Sequence, residues 1–140
     1  MFDRPIKSIM ERDRFLTAPP QTTVSDAARL MATRNAGAVL VVESGSLVGI
    51  FTERDVVFRV IAKDLDPATT HLDTVMTPSP LTLEPSRSYG HALLLMQENG
   101  FRHVPVVENG SPIGIVSSRN AMDPELEDFV SEQRRREHHR

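Results

Sequence analysis

The sequence predicts a mixed α+β (α/β-like) fold: two β-α-β-β-α units packed as a pseudo-two-fold pair, followed by a C-terminal helix. Three observations predict it. Residues 15–55 and 80–120 superimpose without a gap at an offset of 65, sharing among others Leu16/Leu81, Thr17/Thr82, Pro20/Pro85, Ala27/Ala92, Met31/Met96, Val41/Val106, Gly45/Gly110, Gly49/Gly114 and Arg54/Arg119, and such self-similarity at a fixed period is the mark of a repeated supersecondary unit. Within each copy an apolar spacing of helical period gives way to short β-type runs. A polar, Gly-containing loop of hairpin length separates the two runs of each copy. One unit of ~50–60 residues buries too little apolar surface to stand comfortably alone, and two copies sharing an apolar face solve that problem.

The elements follow in order. Ile9-Met10 opens the first copy and Val75-Met76 the second. Thr23 followed by Asp26 is a capping box, and Val24, Ala27, Ala28 and Met31 then line one helix face at i, i+3, i+4, i+7. Tyr89, Ala92, Leu93 and Met96 repeat that face, with Gly100 after Asn99 as the helix stop. Strands are expected at Ala38–Val42 and Leu47–Phe51, joined by Glu43-Ser-Gly-Ser46. The second copy places them at His103–Val107 and Pro112–Val116, joined by Glu108-Asn-Gly-Ser111. A further helix starts at Thr52 or Ser117, and Val57, Val60 and Ile61 give the first of these an apolar face. The domain boundaries read as 6–62 for repeat 1, 63–71 for a linker broken at Asp66-Pro67, 72–122 for repeat 2 and 123–140 for a charged C-terminal helix. In that last helix Asp123 is the N-cap, Pro124 the first residue, and Leu126, Phe129, Val130 and Gln133 form a narrow stripe, with Arg134–Arg136 at the basic end complementing the helix dipole.

Composition narrows the function classes. The 140 residues carry 16 Lys and Arg against 19 Asp and Glu, a formal charge of −3, which argues against nucleic-acid or anionic-membrane binding by net charge. There is no cysteine, so disulfide scaffolds, thiol nucleophiles and thiolate metal sites are excluded and a reducing cytoplasm is expected. No apolar run approaches the ~20 residues that span a bilayer, and no apolar signal core follows Met1. No phosphate-binding Gly-rich loop, zinc-protease helix or nucleophile elbow occurs. His71 and His91 have no visible catalytic partner, His138 and His139 have no third metal ligand, and Met10, Met31, Met76 and Met96 read as core. The expectation is a cytoplasmic, non-catalytic protein with no catalytic residue, no metal and no required cofactor.

Together these residues resemble the tandem cystathionine-β-synthase (CBS) domain pair, or Bateman module. The resemblance runs from about Ile6 to Met122. It rests on the Ile-Met and Val-Met openings, on helices ending in Met31 and Met96, on the strand Arg102-His-Val-Pro-Val-Val107, and most sharply on Gly49-Ile-Phe-Thr-Glu-Arg-Asp55. This last matches the family's nucleotide-binding pattern Gly-hydrophobic-x-Thr/Ser-x-x-Asp. The second copy, Gly114-Ile-Val-Ser-Ser-Arg-Asn120, departs from it at the final position.

Thr52 and Asp55 carry two readings. Alone, a Thr followed three residues later by an acid at a strand-to-helix junction is a capping box. The resemblance adds that the helix start attracts phosphate and that the Asp carboxylate accepts ribose hydroxyls; Asp55 can serve both. The resemblance further implies a nucleotide between the repeats, facing Asp55 and Thr52 from one copy and Arg102 and His103 from the other. Arg54 and Arg119 would close on the same phosphates, and Ile50, Leu81 and Pro105 would wall the base. The solvated start of a strand is the plain alternative for Arg102 and His103. The pseudo-symmetric second cleft, with Leu16, Ser117 and the neutral Asn120, reads as weaker, because Gly37 and Ala38 stand where Arg102 and His103 stand in the main one. The implied ligand is AMP, ADP or ATP, with NAD or S-adenosylmethionine as alternatives. The implied partners are a second copy in a homodimer and an unidentified protein target; a bare dimerisation platform is the competing reading.

Overall fold

In the computed structural model, residues 2–10, 15–118 and 132–136 are described. Strands β1 (Leu16–Ala18), β2 (Ala38–Glu43), β3 (Ser46–Thr52) and β4 (Thr77–Pro78) form one sheet in that order. β1 runs parallel to β2, and the remaining pairs are antiparallel. The second sheet pairs β5 (His103–Glu108) with β6 (Ser111–Ser117). The hairpin loops are two residues long, with positive φ at Ser44 (52°) and Gly45 (80°) and again at Asn109 (54°) and Gly110 (81°). Both φ values are positive, as the I′ turn that matches strand twist requires. Each hairpin shifts register at the same point, between Val41 and Val42 and between Val106 and Val107, so even the bulge is repeated.

Helix α1 (Val24–Arg34) begins at Thr23, whose hydroxyl accepts the Asp26 N–H at 3.2 Å. The Asp26 carboxylate does not turn back to the cap; it accepts from Arg29 at 2.9 Å. α1 buries Val24, Ala27 and Met31, and the 11-residue helix α4 (Tyr89–Asn99) buries Tyr89, Ala92 and Met96, as their spacing predicts; the remaining members of those faces, Ala28 and Leu93, are half-buried, and Ala28 lines a cavity. Left-handed residues end both, Asn35 and Gly100. Helix α2 (Glu53–Asp55) starts at Thr52 and runs on as a π-helical stretch, Val56–Ile61. This corrects the expected apolar face: Val60 is fully buried, but Val57 and Ile61 are 54% and 57% exposed. An i→i+5 winding puts more residues in each turn, so Val57 and Ile61 rotate away from Val60.

Packing departs from chain order. The core under α1 and the first sheet takes in Leu72 and Val75 of helix α3 (Leu72–Val75), which lie beyond the linker. The core under α4 and the second sheet takes in Ile6 and Met10 from the N-terminus. Backbone hydrogen bonds secure both exchanges. Leu72 N–H donates to Thr22 at 2.9 Å and Val24 N–H to Thr70 at 2.9 Å, while Ile6 N–H donates to Arg87 at 2.7 Å and Tyr89 N–H to Arg4 at 2.8 Å. Each sequence repeat therefore completes its core with the opening segment of the other. A third apolar cluster joins the two sheets, with Ala38, Leu40 and Ile50 meeting Ile115. The hairpin tips touch as well, Ser111 Oγ donating to the Gly45 carbonyl at 2.7 Å.

Within the C-terminal segment, residues 132–136 are helical and exposed, with Arg136 paired to Glu132 at 2.9 Å. The proposed cap at Asp123 and the stripe through Leu126, Phe129 and Val130 lie outside the described residues.

Candidate functional site

The junction of β3 and α2 is built by Thr52 and Asp55. The Asp55 carboxylate is held by Oδ2, which accepts the Thr52 N–H at 2.8 Å and the Thr52 hydroxyl at 3.1 Å. The Asp55 N–H in turn donates to Thr52 Oγ1 at 3.4 Å, completing a reciprocal capping box. Asp55 is the buried charged residue of the described chain, at 7% exposure. Oδ1 points to Arg59 Nε at 3.4 Å. The structural role of this pair is thus present in full, and it leaves Oδ1 as the oxygen not taken up by the cap.

Asp55 lies in a cleft of about 720 Å³ between the two repeats, within the range of small-molecule sites. Of the residues named from the sequence, Ile50, Thr52, Arg54, Asp55, Leu81, Arg102 and His103 all line it. Pro105 does not: it sits buried within β5, where its carbonyl accepts the Leu83 N–H. Arg119 lies outside the described residues. Arg54 stacks over the Phe58 ring, 4.4 Å from its centroid, a cation–π contact. Among the lining residues the sequence reading missed are Phe58, Arg59, Thr77, Ser79 and Phe101. Arg59 had a visible signal, since a base four residues after an acid shares its helix face.

A second cleft, of about 660 Å³, is lined by Phe15, Gly37, Ala38, Ser117 and the inner side of α1. Two expectations are corrected here. Leu16 is not on its wall, because pairing of β1 with β2 turns Leu16 into the first core. Its repeat counterpart Leu81 lies outside any strand, is 48% exposed and lines the main cleft. Nor does the second cleft lack positive charge: Arg102 and His103 line it as well as the main one, because the start of β5 is where the two cavities adjoin. Asn120 lies outside the described residues. Gly37 is part of the same wall. A Cβ there would lie 3.3 Å from Glu53 Oε1 and from the His103 ring, so the bare α-carbon lets side chains of the two repeats approach. Among the described residues no group of His, Asp and Glu could hold a metal ion, and no helix is long and apolar enough to cross a membrane.

Comparison with known proteins places these features. The CBS domain family model matches residues 6–62 and 72–124. A CBS domain-containing protein of Arabidopsis thaliana is 41% identical over 115 residues, covering 81% of this chain and 20% of that protein. The chain spans about a fifth of the length of the first curated relatives it matches. The crystal structure of an uncharacterized conserved protein from Pyrococcus horikoshii superimposes with a TM-score of 0.82 at 28% identity, covering 89% of this chain and 94% of that one. Two further structures, each 23% identical, share the fold. A CBS domain protein from Pyrobaculum aerophilum complexed with AMP has a TM-score of 0.76 and covers 84% of this chain and 89% of that one. A CBS domain pair in complex with 5-methylthioadenosine and S-adenosyl-L-methionine has a TM-score of 0.80 and covers 89% of this chain and 98% of that one.

Proposed function

The chain belongs to the CBS domain family, and from that premise we propose that it is a regulatory module that binds an adenine nucleotide (AMP, ADP or ATP) in the main cleft and signals its occupancy to a protein partner. The observation that carries this reading is the convergence of Thr52 and Asp55 from one repeat with Arg102 and His103 from the other around one cleft of about 720 Å³. Oδ1 of Asp55 accepts a ribose hydroxyl while Oδ2 keeps the cap, and the Arg102 guanidinium offers a bidentate fork to phosphate. Two fold neighbours carry adenosyl ligands, which supports the adenine end of the ligand; NAD and S-adenosylmethionine are the alternatives. The second cleft is the weaker site in this reading, since Asp55 lines the main cleft and not the second. The module works in the cytoplasm, in keeping with a chain free of cysteine, and it binds rather than turns over its ligand.

Binding must favour one conformation or assembly over another to carry a signal. A ligand at 100 times its Kd adds about 2.7 kcal/mol to the state it binds, enough to shift a subunit interface. The test is a thermal-shift and calorimetric series with AMP, ADP, ATP, NAD and S-adenosylmethionine on the wild type, Asp55→Asn and Arg102→Ala. At least one adenosyl ligand is expected to bind, with a loss of more than tenfold in each variant, about 1.4 kcal/mol. A wild type that responds to none of the five would defeat the sensor. Persistence of the ATP or NAD supplied is the expected result of long incubation, and its consumption would make the protein an enzyme.

A second reading has its own observation. Val57, Phe58 and Ile61 are each more than half exposed along the π-helical stretch, an apolar face fit to pair with the same face of a second copy. In that reading the protein is a homodimeric platform with or without ligand.

A further inference from the structure

Arg59 makes contacts that the capping box does not require. Its Nε faces Asp55 Oδ1 at 3.4 Å. Its Nη1 donates to two successive backbone carbonyls, Val75 at 3.2 Å and Met76 at 3.1 Å. Those carbonyls end α3, the segment that reaches the first core from beyond the linker. From there the chain enters β4, which pairs with Gly49 and Ile50 of β3, and Thr77, Ser79, Pro80 and Leu81 then form one wall of the main cleft. Ser79 is held to β3 by a backbone hydrogen bond to the Val48 carbonyl at 3.1 Å. One guanidinium thus spans the carboxylate at the floor of the cleft and the root of its wall.

We infer that Arg59 is a positioning residue that ties the Asp55 carboxylate to the wall segment 72–81, so that capture of a nucleotide by Asp55 and ordering of that wall are linked. The inference rests on the nucleotide reading above and names how occupancy of that site reaches the rest of the fold. The physical reason is the shape of the side chain. Arginine places separate N–H donors on a rigid plane, so Nε and Nη1 serve two partners at once, and Nη1 is already anchored when a ligand arrives. Oδ1 of this cleft-lining carboxylate is held by a charge that is itself fixed to backbone. A ligand that bonds Oδ1 stabilises the rotamer Arg59 holds, and by linkage a docked wall raises affinity as much as ligand strengthens docking. Lysine carries the charge on a single rotatable nitrogen and cannot span both partners with one plane.

The experiment measures AMP and ATP affinity by calorimetry, and amide hydrogen exchange at Ser79 with and without AMP, in the wild type, Arg59→Met and Arg59→Lys. In the wild type, AMP slows exchange at Ser79. Arg59→Met is expected to bind AMP at least tenfold more weakly and to lose that AMP-dependent protection. Arg59→Lys, which keeps the charge near Asp55 but cannot span both partners, is expected to lose the protection and with it the linked share of affinity, while still binding AMP more tightly than Arg59→Met; this separates a positioning role from general destabilisation. AMP binding by Arg59→Met within twofold of the wild type, or protection of Ser79 that survives in both variants, would overturn the inference. Should the wild type bind neither nucleotide, the sensor reading fails by itself. The tie is then judged without ligand: faster Ser79 exchange in Arg59→Met supports it, and an unchanged rate overturns it.

Discussion

Leu72→Ala probes the exchange of opening segments between the repeats. Leu72 is fully buried, and its neighbours are Val24, Ala27, Met31 and Phe51 of the first core rather than the residues of its own repeat. Removing most of a fully buried leucine side chain costs about 2–5 kcal/mol, from lost transfer free energy and the cavity left behind. That is a large part of the ~5–15 kcal/mol that holds a domain together. At roughly 3 °C per kcal/mol for a chain of this size, Tm falls by about 6–15 °C. Ile6→Ala is the mirror experiment, since Ile6 is fully buried among Tyr89, Ala92 and Val104, and its cost is of the same order. Amide hydrogen exchange resolves which unit loosens, because local openings report on the cooperative segment they belong to. Leu72→Ala is expected to speed exchange in α1 and β2 far more than in α4, and Ile6→Ala to do the reverse. Loosening of α4 by Leu72→Ala, or equal loosening of both helices by either variant, would refute the exchanged cores.

Three other outcomes follow from single contacts. A Cβ on Gly49 would overlap the Met76 side chain, lying 2.9 Å from Cγ and Cε and nearer still to Sδ; Gly49→Ala is expected to cost about 1–3 kcal/mol in urea unfolding, and Met76→Ala in the same chain to recover part of it. Tyr89 is fully buried and donates its hydroxyl to the Ser117 carbonyl at 2.9 Å, so Tyr89→Phe is expected to lower stability by about 0.5–1.5 kcal/mol without altering far-ultraviolet circular dichroism. On the homodimer reading, Phe58→Asp places a charge in the exposed apolar face beside Val57 and Ile61; sedimentation equilibrium is expected to show weaker self-association than in the wild type, and an unchanged association constant, or a monomeric wild type, would refute pairing through that face.

Local chemistry was legible in the residues. The hairpin loops, the caps at Thr23 and Thr52, the left-handed stop at Gly100 and the buried faces of α1 and α4 each depend on a few neighbouring positions, and a pattern of period two or near four states them directly. The in-register repeat carried the pairing of two like units; the Thr52–Asp55 motif by itself stated a capping box, and only the family resemblance pointed from it to the cleft that both residues line. The copies look alike in sequence at Leu16 and Leu81, yet one is core and the other lines the cleft. That difference comes from strand pairing around β1, which identity at a single position cannot express. Tertiary structure alone decided that Leu72 and Ile6 complete each other's neighbouring cores, that Arg102 and His103 stand between two cavities, and that Arg59 reaches carbonyls 16 and 17 residues away. Those are contacts between distant segments, selected by which exposed apolar surface each core still has to cover and which carbonyl still lacks a donor; neither quantity exists until the chain has folded.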